Sequence, residues 1–310
     1  MGLRQNIMGR GDDTMGTDIL SEMGLGAGKL TRLRRLLYHY GPGNGKLMIL
    51  PYDQGLEHGP RDFFPNPDSK DPDYIYGLAM EGGFSAVALQ VGLAEKYHHK
   101  YAGKIPLILK LNGKTDLPSD GEALSPLTAG VEDAVRLGAD AVGYTLYVGS
   151  PAQAQDMEAF NMVREDAARY GMPLIMWAYP RGEAVSKKGG KDSFYAVDYA
   201  ARVAQELGAD VVKVNFPTNR AESRAQTKSP YSSLDWSPDR CLEHVVKSAG
   251  RTLLIVSGGE KIDDDALLRK IDNSLAAGAV GIIFGRNIWQ RTRENALGMA
   301  AKIRETFARY

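Results

Sequence analysis

The chain has 310 residues, 35 of them glycine, and its 38 Lys+Arg balance 38 Asp+Glu to a formal net charge of zero. That balance excludes a nucleic-acid binder driven by surplus cations. The single cysteine, Cys241, excludes an intrachain disulfide and a multi-cysteine zinc site, and it fits a reducing compartment. No run approaches the about 18 apolar residues of a membrane span. The opening MGLRQNIMGRGDDTMG lacks the apolar stretch of a secretory signal. The expectation is a soluble cytoplasmic protein whose partners include neither membrane nor nucleic acid.

Residues 1–28, rich in Gly, Met, Asp and Arg, read as a loosely ordered arm and a candidate oligomer contact. Over 29–40, KLTRLRRLLYHY repeats leucine at helical spacing between basic residues, which predicts an amphipathic helix stopped by Gly41-Pro42-Gly43. Its basic face suits a solvated packing helix better than a membrane surface. From residue 46 a rhythm sets in: KLMILPYD (46–53), FSAVALQVG (84–92), PLILKLNG (106–113), ADAVGYTLY (139–147), PLIMWAYP (173–180), ADVVKVNFP (209–217), TLLIVSGG (252–259) and AVGIIFGR (279–286). Near-continuous apolar runs of this kind are parallel strands covered on both faces. Helical patterns separate them. The joints EGGFSA, LGADAV, LGADVV and AGAVGI each place a glycine where a helix ends in a left-handed cap before the next strand. Eight such units in about 240 residues predict a (β/α)8 barrel, α/β in class. It is read as a single domain: residues 1–45 form an arm and helix, and 46–310 the catalytic barrel. A doubly wound sheet is the alternative.

Barrel chemistry sits at the carboxyl ends of the strands, and there this sequence concentrates its polar residues. Strand one ends in Asp53; strand three carries Lys110 and Asn112; strand five ends Trp177-Ala178-Tyr179-Pro180-Arg181; strand six carries Lys213 and Asn215. On strand six, Val212, Val214 and Phe216 share one parity and face the helices, which aims Lys213 and Asn215 inward. Parity likewise groups Trp177 with Tyr179 and Lys110 with Asn112. A lysine inside a barrel loses proton affinity, and a neutral amine is what Schiff-base chemistry needs. The competing reading is a lysine paired to an internal carboxylate such as Asp53, and Lys110 competes with Lys213 for the nucleophile's role. Ser257-Gly258-Gly259 and Gly285-Arg286 close adjacent strands as a phosphate-binding constellation. No HxH or HExxH spacing appears, so no metal is expected; His58 suits a substrate hydroxyl or phosphate, and His98 and His99 should be exposed. The segments 182–192 and 217–236 read as solvated surface or, alternatively, as lids.

Together these residues resemble the archaeal-type class I fructose-1,6-bisphosphate aldolase family, which also has bacterial members. The resemblance covers roughly 30–308 and rests on DQGLEHGP (53–60), LGADAVGYTLYVGS (137–150), WAYPRG (177–182), LGADVVKVN (207–215), SGG (257–259) and GRNIWQR (285–291). It implies a Schiff-base aldolase without metal or other cofactor, with Lys213 as the Schiff-base lysine, Tyr179 as proton donor and acceptor, and Asp53 at the reacting centre. It implies substrate contacts for Gln54, His58, Asp62, Trp177 and Arg181, and phosphate contacts for Ser257, Gly258, Gly259, Gly285 and Arg286. It also implies a sugar-phosphate substrate and a ring-based homo-oligomer. Gln54, where some members carry His, and the extended segment after strand six depart from the pattern. Relatives of the same fold include a coenzyme A-dependent thiolase and an enzyme condensing sugar phosphates toward aromatic precursors, so another phosphorylated ketose or diketone is the alternative substrate.

Overall fold

A computed structural model describes residues 19–310. Eight parallel strands close into one barrel in chain order, β1 pairing both β2 and β8. They are β1 (Leu47–Pro51), β2 (Ala86–Gln90), β3 (Leu107–Lys110), β4 (Ala141–Leu146), β5 (Leu174–Ala178), β6 (Val211–Val214), β7 (Leu253–Ser257) and β8 (Gly281–Ile283). Each lies inside one of the eight apolar runs of the sequence. The helices used below are α1 (Ala27–Arg34), α2 (Pro72–Glu81), α3 (Val91–Tyr97), α4 (Val131–Arg136), α5 (Gln153–Arg169), α6 (Phe194–Leu207), α7 (Pro238–Ala249), α8 (Asp264–Ala276) and α9 (Arg293–Phe307). The glycines expected at four helix-to-strand joints, Gly83, Gly138, Gly208 and Gly278, all have left-handed φ, between 67° and 96°. Side chains with a Cβ resist that region.

Strand parity divides the core in two. Met48, Val87, Leu109, Val142, Met176, Val212, Val214 and Val256 pack outward against the helices. Leu47, Ile49, Ala88, Ile108, Ile175, Trp177, Val211 and Ile255 fill the barrel. The amino-terminal helix belongs to the inner set, since Leu33, Leu36 and Leu37 pack with these barrel residues. It runs in α geometry to Arg34 and continues as a π turn, Arg35–His39, in which Tyr40 N–H reaches back to Arg35 O at 3.1 Å. Its solvent-side residues pair with acidic residues just ahead of two strands. Lys29 Nζ meets Asp210 at 2.7 Å, and Arg35 Nε meets Asp140 at 3.2 Å. Both carboxylates come from the repeated LGAD joints. The helix therefore stoppers the amino-terminal end of the barrel. Of the arm expected over 1–28, residues 1–18 lie outside the described residues.

Candidate active site

Lys213 sits on β6 in register with Trp177 on β5 and Ile255 on β7. Its parity aims it into the barrel, as its apolar neighbours Val212 and Val214 demand. The ammonium nitrogen lies over the rings of Trp177 (5.1 Å to the centroid) and Tyr179 (5.3 Å). Among the described residues it has no hydrogen-bond acceptor and no carboxylate within ion-pair distance. Room for this arrangement comes from Gly143 on β4, where a Cβ would stand 2.5 Å from the Trp177 ring and 3.0 Å from Lys110 Cδ.

Lys110 is the other inward lysine, and its surroundings are the opposite. Its Nζ donates to Thr145 Oγ1 (2.6 Å), Glu57 Oε1 (3.0 Å) and Asn112 O (3.4 Å), with Asp53 Oδ2 a further 3.6 Å ion-pair contact. The choice between nucleophile and ion pair is thus divided between two residues: the internal carboxylates take Lys110, and Lys213 stays without an acidic partner. Trp177 is buried between them, with Lys110 Nζ 5.0 Å from its centroid.

Burial pulls the Lys213 ammonium down to about 8, with Lys110 and Arg286 adding to the fall and Asp53 and Glu57 opposing it. The two carboxylates move in opposite directions. Burial and the neighbouring Glu57 charge raise Asp53 against the pull of both lysines. Burial would raise Glu57 too, but Lys110, Lys213 and the Lys110 hydrogen bond outweigh it and hold Glu57 low. Pairs of acids pushed apart in this way divide proton-holding from charge-holding. Tyr179 is raised well above 10 by burial and then by Glu57 and Asp53, so it keeps its proton. Asp53 Oδ2 is buried without a hydrogen-bond partner among the described residues, as are Gln54 Oε1, Trp177 Nε1 and Arg181 Nε.

On the β7–β8 side, Ser257 Oγ donates to Asn215 Oδ1 (2.6 Å), whose amide donates to Asp192 (2.6 Å). Asp192 closes the Lys/Gly-rich segment 182–192, which is thereby tied to β6 and β7. Gly258 N–H already donates to Ile283 O at 3.2 Å, whereas Gly259 is exposed at a left-handed φ of 70°. The Gly258 carbonyl is held by Lys270 Nζ (3.3 Å) and Asn287 Nδ2 (3.4 Å). A Cβ at Gly285 would meet Gln54 Nε2 at 2.7 Å, so this turn tolerates no side chain. Arg286 Nε stands 3.9 Å from Asp62 Oδ2, and Asp62 in turn holds His58 Nδ1 at 2.8 Å.

The sequence-predicted residues Lys213, Tyr179, Asp53, Trp177, Gln54, Arg181 and the two glycine turns all gather at the carboxyl ends of the strands. His98 does not behave as expected. It is buried, because Tyr76 of α2 binds its Nδ1 at 3.0 Å and Tyr101 stacks on Tyr76, while His99 is exposed. Segment 217–236 packs onto the outer helices: Tyr231 donates to Asp198 of α6 at 2.5 Å, and Asn219 ties down Leu234 O and Trp236 O at 2.9 Å each. Reading the residues one by one overlooked Glu57, although a signal was there. Asp53 and Glu57 are four apart across the one-turn helix Gln54–Glu57, a spacing that puts both carboxylates on one face.

The chain matches the profile of the DeoC/LacD family aldolases over residues 47–291, from the start of β1 to beyond β8. It is 44% identical to a class 1 fructose-bisphosphate aldolase of Thermoproteus tenax over 262 residues, covering 84% of this chain and 89% of that one. It is 39% identical over 264 residues to a protein of the same name from Halobacterium salinarum, covering 84% and 92%. The fold superposes, with a TM-score of 0.75 and 40% identity over 88% of this chain and 98% of the other, on an archaeal fructose-1,6-bisphosphate aldolase whose catalytic lysine is covalently bound to the carbinolamine intermediate of its substrate. With its eight-stranded barrel inside the matched span, the chain belongs to the DeoC/LacD family of aldolases.

Proposed function

We propose that this protein is a Schiff-base lyase that reversibly cleaves fructose 1,6-bisphosphate to dihydroxyacetone phosphate and glyceraldehyde 3-phosphate, with residues 46–310 as its catalytic barrel. The observation that carries the reading is the contrast between the two inward lysines: Lys110 is saturated by acceptors, while Lys213 is buried, unpaired among the described residues and lowered to about 8. In this reading the Lys213 amine adds to the C2 ketone. The carbinolamine hydroxyl leaves as water on receiving a proton, and an iminium remains. Asp53, as its carboxylate, takes the C4 hydroxyl proton, while Tyr179, which keeps its own proton, stands beside it as a donor. The C3–C4 bond then breaks, its electrons flow to the iminium nitrogen, and the aldehyde departs. Protonation of the enamine at C3 and hydrolysis of the iminium release the second product and restore the amine. Because Asp53 is raised and Glu57 lowered, Asp53 is the carboxyl that can carry a proton between these steps.

The ketose-end phosphate binds at Ser257, Gly259, Gly285 and Arg286, which holds C2 beside the amine; Gly258 spaces that turn. His58 and Asp62 border Arg286, with Gln54 above the Gly285 turn. Arg181 takes the far phosphate, and Trp177 spaces the two lysines. Among the described residues no helix is long and apolar enough to cross a membrane, and no three His, Cys, Asp or Glu side chains group as metal ligands would. The reading includes a cytoplasmic homo-oligomer, in keeping with the one free, buried thiol of Cys241.

Borohydride reduction in the presence of fructose 1,6-bisphosphate, followed by peptide mass mapping, tests the assignment. The expected adduct is on Lys213, chelator-independent, and forms faster as pH rises through about 8, because only the unprotonated amine attacks. An adduct on Lys110, or none, overturns it.

A further inference from the structure

The loop between β3 and α4 crosses the barrel mouth, tethered by ion pairs on two sides. Asp116 receives Arg61 Nη2 at 2.6 Å, from the segment after β1. Asp120 receives Lys114 Nζ at 2.9 Å and lies 3.1 Å from Arg181 Nε, after β5. The second contact is close but misaligned, for Arg181 Nε is a buried donor without a hydrogen-bond partner among the described residues, and only Nη1 is used, by Pro180 O at 2.9 Å. The exposures are lopsided. Asp120 is 51% exposed, whereas Lys114 and Arg181 are 15% and 18% exposed. Both cations converge on Tyr147, with Lys114 at 6.0 Å and Arg181 at 5.8 Å from its ring, and Arg181 also covers Tyr179 at 5.3 Å. An exposed carboxylate of one charge therefore sits, with poor alignment, on two mostly buried cations one ring away from the reacting centre.

We propose that Asp120 is an internal stand-in for the phosphate at the aldehyde end of the substrate: it holds Arg181 and Lys114 until a bisphosphate displaces it, while a ketose 1-phosphate leaves it in place. The inference rests on the aldolase reading above. A phosphate dianion brings more charge than a carboxylate and three oxygens, enough to satisfy Arg181 Nε with aligned bonds. Displacing a half-exposed carboxylate costs little, since such pairs are worth well under the new contacts. Asp120 so tunes discrimination at the far end of the sugar: it weakens binding of every bisphosphate by the same factor and shields the cations from small stray anions. Once displaced, the loop remains held by Asp116 on Arg61.

Steady-state kinetics on fructose 1,6-bisphosphate and fructose 1-phosphate test this with Asp120→Asn, which keeps the shape and removes the charge. For the bisphosphate, KM should fall roughly 3- to 5-fold with kcat unchanged, and the difference should shrink at high salt. Both parameters for fructose 1-phosphate should stay as in the wild type. Asp116→Asn, which loosens the other tether without touching Arg181 or Lys114, should leave both KM values within about twofold. The proposal is overturned if Asp120→Asn leaves the bisphosphate KM unchanged or raises it, or if Asp116→Asn reproduces its effect, since loop mobility would then explain both. Failure of the underlying reading looks different: a wild-type enzyme that cleaves neither sugar, or an Arg181→Ala enzyme impaired equally on both.

Discussion

The two ends of the barrel treat their charged side chains differently. At the amino-terminal end, the stoppering helix α1 and its π turn set charges against partners at the barrel: Lys29 with Asp210, Arg35 with Asp140, and Arg32 Nη1 with Gly171 O at 3.1 Å. At the carboxyl end, among the described residues, Asp53, Gln54, Trp177 and Arg181 each keep a buried polar atom without a hydrogen-bond partner, and Lys213 has no carboxylate within ion-pair distance. Leaving such groups unmatched costs stability. One end is built to stay shut, and the other keeps its unmatched groups ready for a substrate that supplies the missing partners.

That contrast is broken most forcefully at the lysines. Lys213→Met should lower activity on the order of 10⁵- to 10⁶-fold and abolish the borohydride adduct, as loss of a nucleophile does, while melting stays near the wild type because no ion pair is lost. Lys110→Met strands Glu57 and Asp53 without their cation and should cost about 3–5 kcal/mol, read as a clear drop in the denaturant midpoint. If the two variants exchange phenotypes, the roles given to the lysines are reversed. Next in size is Tyr179→Phe. Removing one hydroxyl while keeping the ring should reduce kcat by roughly 100- to 10,000-fold with the Lys213 adduct still trapped; near-full activity would move the proton to Asp53 or Tyr147. The smallest effect on catalysis belongs to the closed end. Among the described residues, Lys29→Met leaves Asp210 only the Leu174 N–H (2.8 Å) and should cost about 3 kcal/mol of stability. Its kcat and KM, measured on folded enzyme, should not move. A change in either would mean that the two ends are coupled.

The eight strands, their parity and their joints were legible because each depends on local pattern: a buried run, an alternation of two, a glycine at a positive φ. Lys213 was legible as an inward residue for the same reason. What separates Lys213 from Lys110 was not, since it depends on Glu57 and Thr145, which reach Lys110 from the segment after β1 and from β4. Parity places a side chain on a face but says nothing of who meets it there. His98 failed for a related reason: its partner Tyr76 lies 22 residues away on α2, and no local signal marks that pairing. The linkage from Asp192 through Asn215 to Ser257 likewise joins three separate stretches, and Lys114 and Asp120 had no motif to announce them.

The stopper at the amino-terminal end also has a bearing on how the protein is made. Helix α1 leaves the ribosome before the strands of the barrel, yet the carboxylate that receives Lys29 lies 181 residues downstream. At usual rates of synthesis that separation is roughly ten to forty seconds. Through that interval Leu33, Leu36 and Leu37 have no barrel floor to cover, and β1 has no β8 to pair with. The growing chain thus carries an uncovered leucine-rich basic helix until the last strand closes the ring.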